Sequence, residues 1–283
     1  MIIKITSDGT SDLTEEIKQK YNFTTIPVPV IIGDEEYKDG VNLTSDNIFE
    51  ICEKTKSHPR TSAINPSEYK EFFEKIFEEE KCDAIIHFAL SSKLSSLCQN
   101  AKTASESFDG KVFVIDSQTL SSAIGLQMIY AYELAQQGLE PKQIVEKVEE
   151  RKNFAQASFV LDTLKYLHKG GRCSRIEMFG ANLLKIKPII ALKDGSMDVD
   201  SKPRGKFADV VMRYVDYTLE KYNKPDKTKC FITYSTLDDK IVEAIKEKIS
   251  PIFKEVLITR AGATVATHCG PNTVGILFYT DGE

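Results

Sequence analysis

Ala84-Ile85-Ile86-His87-Phe88-Ala89-Leu90-Ser91-Ser92-Lys93-Leu94-Ser95-Ser96 is an apolar run that breaks abruptly into hydroxyls. The run from Ala84 to Leu90 has the length and composition of a buried strand. A helix follows it from about Ser95. The same grammar recurs on either side. Ile2 to Thr6 predicts a strand that opens into Thr6-Ser7-Asp8-Gly9-Thr10-Ser11-Asp12 and a helix from Leu13 to Tyr21. Val112 to Asp116 predicts a strand that opens into Ser117-Gln118-Thr119-Leu120-Ser121-Ser122 and a helix reaching Gln137. Strands and helices alternating in this way predict a parallel sheet with helices on both faces.

Between these units, Thr25 to Ile32 reads as extended, with Pro27 and Pro29 favouring an edge or irregular course. Asp46 to Lys54 reads as helix, followed by Pro59-Arg60-Thr61-Ser62. Asn65-Pro66-Ser67-Glu68 carries the marks of a helix start, with a cap residue, a proline at the first position and a glutamate at the third. Tyr69, Phe72, Phe73, Ile76 and Phe77 then repeat at helical spacing.

The second half changes character. Ser158 to Leu161 reads as extended, and Asp162 to Lys169 as a helix stopping at Gly170-Gly171. A further helix is expected from Arg175 to about Leu184. Asp194-Gly195, between Pro188–Lys193 and Met197–Lys202, predicts a hairpin. Ala208 to Lys221 and Asp238 to Lys248 read as helices. Cys230–Tyr234, Glu255–Thr259, Ala263–Thr267 and Gly275–Tyr279 read as strands. The expectation is two α/β domains, residues 1–157 with a parallel sheet and residues 158–283 of α+β character with a mixed sheet.

Composition narrows the function classes. Of 283 residues, 41% are hydrophobic and 28% charged, which fits a globular chain. A net charge of −5 provides no basic stripe for nucleic acid. No apolar run approaches the ~20 residues of a membrane helix, and the first residues lack the apolar core of a signal peptide. The six cysteines are scattered, with no Cys-x-x-Cys pair, so neither a zinc ribbon nor a redox dithiol is signalled. Isolated thiols suit a reducing cytoplasm. The glycine-rich phosphate loops, the dinucleotide fingerprint and the nucleophile elbow are all absent. No histidine stands at metal-ligand spacing, and no cofactor is expected.

The candidate chemistry is in the loops. At the carboxyl edge of a parallel sheet, hydroxyls and helix N-termini converge where ligands bind. Any one such serine is equally explained as a helix cap. Near the C-terminus, Thr267-His268-Cys269-Gly270-Pro271-Asn272 reads as a connection between strands, and His268 is either an anion donor or a side chain that fixes the turn. His87, inside an apolar strand, reads as core, and His168 as a helix-end residue.

An ordered set of motifs then resembles one family. Asp8 to Leu13, Thr61-Ser62 with Pro66-Ser67, Leu94-Ser95 with Gln99 and Ala101, and Val114-Ile115-Asp116-Ser117 are similar to DegV-family motifs. So are Phe159 to Leu167 with Gly170-Gly171-Arg172, Leu184 with Lys187-Pro188, Arg204-Gly205-Lys206, and Thr267-His268 with Gly270-Pro271. The resemblance runs in order from about Ile3 to Tyr279. It implies a protein that binds a long-chain fatty acid between two domains. The carboxylate would be held by Thr61, Ser95 and His268, with Ser62 adjacent. It also implies that a separate ATP-binding kinase subunit makes the acyl phosphate, with Arg204 contacting that partner, and that the chain itself is not an enzyme. Transient contact with a membrane is compatible with that role.

Two departures stand out. The family's Leu-Ser-Gly-Thr-Tyr is Leu94-Ser95-Ser96-Leu97-Cys98 here, and its Gly-Pro-Gly is Gly270-Pro271-Asn272. Leu97 puts bulk where the family has a small hydroxyl residue.

The physics of such a site is coherent. Burying ~14 methylenes at ~0.8 kcal/mol each gains ~11 kcal/mol before entropic costs. A buried carboxylate must be hydrogen-bonded, so an apolar tunnel needs a polar clamp at one end. Thr61 and Ser95 supply neutral donors, and His268 supplies a third that can carry charge. Phe159, Leu161, Leu164, Leu183, Leu184, Ile186 and Ile189 are the tunnel candidates, with ordinary core as the other reading. Two rival functions stay open: a Ser95/His268 acyl hydrolase or transferase, and a lipid carrier with no kinase partner.

Overall fold

The computed structural model describes residues 1–173 and 186–282. The chain begins with β1 (Ile3–Asp8), α1 (Glu15–Tyr21), β2 (Thr24–Ile26), β3 (Pro29–Ile32), β4 (Glu35–Lys38), α2 (Ile48–Thr55), β5 (Arg60–Thr61) and α3 (Pro66–Glu80). It continues through β6 (Ala84–Ala89), α4 (Leu97–Ser105), β7 (Val112–Asp116), α5 (Ser122–Gln136) and α6 (Pro141–Arg151). Strands β2-β1-β6-β7 form the parallel sheet that the repeated strand, hydroxyl loop and helix pattern implies.

β6 lies at the centre and is buried along its whole length. Its side chains alternate between two cores, as the period of a strand requires. Ile85 packs with Tyr69, Phe73 and Ile76 of α3 and Ala101 of α4. Ile86 and Phe88 face α5 on the other side. α3 starts where the sequence places it: Glu68 N–H donates to Asn65 Oδ1 at 3.0 Å, and Asn65 N–H donates to Glu68 Oε2 at 2.8 Å. His87 is fully buried beside Thr6 Oγ1 at 3.0 Å, as a core residue.

The chain crosses to the second sheet at β8 (Ala155–Gln156) and β9 (Ser158–Leu161). Then come α7 (Lys165–Gly170), β10 (Ile189–Lys193), β11 (Ser196–Ser201), α8 (Phe207–Lys221), β12 (Lys229–Tyr234), α9 (Asp239–Ile249), β13 (Glu255–Arg260), α10 (Ala263–Cys269) and β14 (Thr273–Tyr279). The strand order is β11-β10-β9-β14-β12-β13, with β8 also on β14. Only β12 and β13 run parallel, so the sheet is mixed. Asp194 and Gly195 turn the β10–β11 hairpin with φ of 49° and 79°, the positive pair a tight hairpin needs. α5 is buried almost all round and joins the two halves. Its residues share one core with Ile5, Ile86 and Ile115 of the first sheet and Phe231, Leu277 and Tyr279 of the second.

Three expectations are corrected and one is not tested. Thr25–Ile32 is two strands. β2 stays in the large sheet, while β3 leaves it at Pro27-Val28 to pair with β4 and β5 in a separate three-stranded sheet. α7 begins at Lys165, three residues after the expected start. The helix expected from Arg175 to Leu184 lies outside the described residues. The run Ala263–Thr267 is the first part of helix α10 and not a strand, so His268 stands in a helix's last turn. Thr264, Val265 and Thr267 favour strand locally, and no local side chain caps the helix. Its first amides are instead satisfied by carboxylates far away in the chain, described below.

Candidate functional site

The loops after β1 and β6, the strand β5, the β7–α5 loop and helix α10 converge on a cavity of about 350 Å³, within the size range of small-molecule sites. Its apolar wall combines Val28, Leu90, Leu94, Leu97 and Leu120 from the first half with Met197, Val265 and Cys269 from the second. Thr10, Thr61, Ser62, Ser95, Ser96, Arg172, Thr264 and His268 supply the polar part of the lining. Thr61, Ser62, Ser95 and His268 are therefore brought together as expected. Arg204 is not. It is exposed in the β11–α8 loop, where its carbonyl accepts from Arg213 Nη2 at 2.6 Å.

Thr61 Oγ1 lies 2.9 Å from His268 Nε2, joining residues 207 positions apart. The other ring nitrogen, Nδ1, is buried and makes no hydrogen bond among the described residues. Desolvation by burial, reinforced by the nearby charges of Arg172 and His58, pushes the imidazole down to about 4. That burial favours the neutral form of the His268 ring. The neutral ring either donates from Nε2 to Thr61 Oγ1 or accepts the Thr61 proton there, according to its tautomer.

Tight packing fixes the ring. A Cβ added to Gly170 would lie 2.5 Å from His268 Nδ1, and one added to Gly270 (φ 81°) would lie 2.4 Å from Tyr166 Cδ2. These two glycines let α7 and α10 approach closely. Ser95 is half-buried one residue before the α4 cap position, and its Oγ makes only a long 3.4 Å contact with Leu97 N–H. Ser96 provides no side-chain cap, so the positive end of α4 is available to an anion at the mouth.

Several of the other hydroxyls are internal fasteners, although the serines at the α4 and α5 starts make no side-chain cap. Ser91 Oγ donates to the Gly195 carbonyl at 2.7 Å, Thr10 bonds Asp8, and Ser121 bonds Asp12. Ser95 retains donor capacity toward the cavity.

Sequence reasoning missed Arg172 as a site residue. It is exposed at the rim, tied by Nη1 to the Gly170 carbonyl at 2.5 Å. The available signal was a cation just past a helix-terminating Gly-Gly pair, which reads equally well as a helix-end charge. The apolar residues expected to form a tunnel stand apart from this lining. Leu161, Leu164, Ile186 and Ile189 are buried in core clusters and do not line this cavity, and Phe159 lines a small neighbouring one. Leu183 and Leu184 lie outside the described residues.

The arrangement suits binding better than bond cleavage. His268 Nε2 bonds Thr61 and makes no hydrogen bond to Ser95, and no carboxylate orients Nδ1 among the described residues. A Ser95/His268 nucleophile pair is not assembled. Fold and site together define a three-sheet α/β protein with an apolar cavity and hydroxyl and imidazole groups plus one guanidinium at its rim.

The chain belongs to the DegV family, whose model, described as "Uncharacterised protein, DegV family", matches residues 2–281. A DegV domain-containing protein of Deinococcus radiodurans is 30% identical over 283 residues, with 98% of each chain covered. A Thermus thermophilus structure described as fatty acid binding of a DegV family protein superposes with a TM-score of 0.88 at 26% identity, covering 99% of each chain. DegV of Bacillus subtilis, described as a fatty acid binding protein, superposes at 0.85 with 25% identity and 99% of each chain covered. No helix among the described residues is long and apolar enough to cross a membrane.

Proposed function

We propose that this chain binds a long-chain fatty acid between its two halves, residues 1–157 and 158–283, and is not itself an enzyme. Thr61, Ser95 and His268 hold the carboxylate, with Ser62 beside them and Arg172 at the rim. The acyl chain occupies the apolar cavity. The observation that carries this reading is the Thr61–His268 pair beside a cavity whose wall includes Val28, Leu90, Leu94, Leu97, Leu120 and Met197. Neutral donors suit a carboxylate, because a charge-assisted hydrogen bond is roughly twice as strong as a neutral one. The fatty-acid-binding relatives support the same ligand.

The bound carboxylate is presented to a separate ATP-binding kinase subunit that forms the acyl phosphate, with exposed Arg204 as a docking contact. The setting is cytoplasmic, consistent with six free cysteines. Extracting lipid from the purified protein and analysing it by mass spectrometry tests the ligand. The reading expects a stoichiometric long-chain fatty acid. A chain that neither carries nor takes up a fatty acid contradicts it.

A further inference from the structure

We propose that Asp39 is the positioning residue that sets His268, by anchoring the N-terminus of α10 to the three-stranded sheet that also carries Thr61. This deepens the fatty-acid reading and rests on it. Ala263 N–H donates to Asp39 Oδ1 at 2.7 Å, and Thr264 N–H donates to Asp39 Oδ2 at 2.8 Å, across more than 220 positions of sequence. Gly262 N–H donates to Asp12 Oδ1 at 2.8 Å. Three of the four amides that a helix N-terminus leaves unpaired are thus taken by two buried carboxylates of the first half.

The approach is close enough to dictate sequence. A Cβ on Gly262 would lie 2.6 Å from Asp39 Oδ2. Below the helix, Ala263 and Ala266 pack into one core with Val30 and Ile32 of β3.

The spacing explains how one sheet grips both ends of the helix. Asp39 directly follows β4, and Thr61 is in β5. These strands flank β3, where Pro29 pairs with Lys38 and Val30 with Thr61. Two strand spacings span ~9.6 Å. The five steps from Ala263 to His268 rise ~7.5 Å along a helix. α10 therefore bridges the sheet, with Asp39 holding its start and Thr61 meeting His268 at its end. Releasing the Asp39 end lets the helix shift or fray, and the Thr61–His268 pair loses its register even though Asp39 is absent from the cavity lining.

The test measures dissociation constants for a long-chain fatty acid and for the alcohol of equal length, by displacement of a fluorescent fatty acid. Wild type, Asp39→Ala, His268→Ala and the double variant are compared. Loss of a helix cap acting through His268 weakens acid binding on the order of tenfold, leaves alcohol binding nearly unchanged, and adds nothing further in the His268→Ala background. Should the alanine variant fail to fold, Asp39→Asn, which keeps the size and one acceptor, carries the same comparison.

Equal losses for acid and alcohol, losses that multiply with His268→Ala, or no loss at all would overturn the assignment. A wild-type chain that binds neither ligand overturns the fatty-acid reading and this assignment with it. Wild-type binding that is indifferent to Asp39 overturns only the latter.

Discussion

Replacing His268 by alanine removes the ring that bonds Thr61 and faces the cavity. In the liganded protein this deletes one donor to an ionised carboxylate, directly or through Thr61. Hydrogen bonds to charged groups contribute about 1.5–3 kcal/mol, so affinity should fall by roughly 10- to 150-fold. The fold should survive. α10 is anchored at its other end by Asp39 and Asp12, and the ring makes no hydrogen bond through Nδ1 among the described residues. Competition against a fluorescent fatty acid measures the affinity, and circular dichroism on heating measures the fold. The equal-length alcohol should lose far less than the acid, since it presents no charge. An unchanged affinity for the acid would refute the carboxylate role, and so would an equal loss for acid and alcohol.

Three further outcomes follow from the same geometry. Gly170→Ala places a methyl 2.5 Å from His268 Nδ1; the ring must move, and acid affinity should fall toward that of His268→Ala in the same competition assay. Arg204→Ala should leave lipid affinity intact and sharply reduce acyl-phosphate formation with ATP and a cognate kinase subunit; undiminished formation would remove Arg204 from docking. The third outcome concerns pH. Because burial holds the folded His268 at about 4 against 6.5 when free, the unfolded chain binds an extra proton between those values. Its contribution to stability is complete above about pH 6.5 and is lost as pH falls toward 4, by up to about 2 kcal/mol at pH 5. Asp12, pushed up to about 8 by burial, acts with the opposite sign, losing its contribution as pH rises through that value. Urea unfolding at pH 7 and pH 5 should therefore be compared between wild type and His268→Ala, and wild type should lose more on acidification.

The parallel sheet was legible because each of its features is local. The Ala84–Leu90 run, the Asn65–Glu68 capping box and the Asp194-Gly195 turn all state their structure within a few residues. Thr61, Ser95 and His268 were singled out by the family resemblance, because the local pattern alone reads equally as capping and turn chemistry, and the fold brings them to one cavity. α10 was misread because its sequence favours strand and its cap is supplied from Asp39, which no window of sequence contains. The cavity wall was not legible because apolar composition is the same in core and cavity. Only the packing of the halves leaves Val28, Leu90 and Leu120 facing space while Leu161 and Ile189 face protein. Leu97, the bulky departure at the start of α4, does line the cavity.

A crystal structure of the protein with a long-chain fatty acid tests the central claim most directly. The account predicts carboxylate oxygens within about 3.2 Å of Thr61 Oγ1, Ser95 Oγ and His268 Nε2, with the acyl chain running past Leu94, Leu120 and Met197. A carboxylate exposed to solvent with the acyl chain elsewhere, or a cavity that stays empty in the presence of saturating fatty acid, would contradict it.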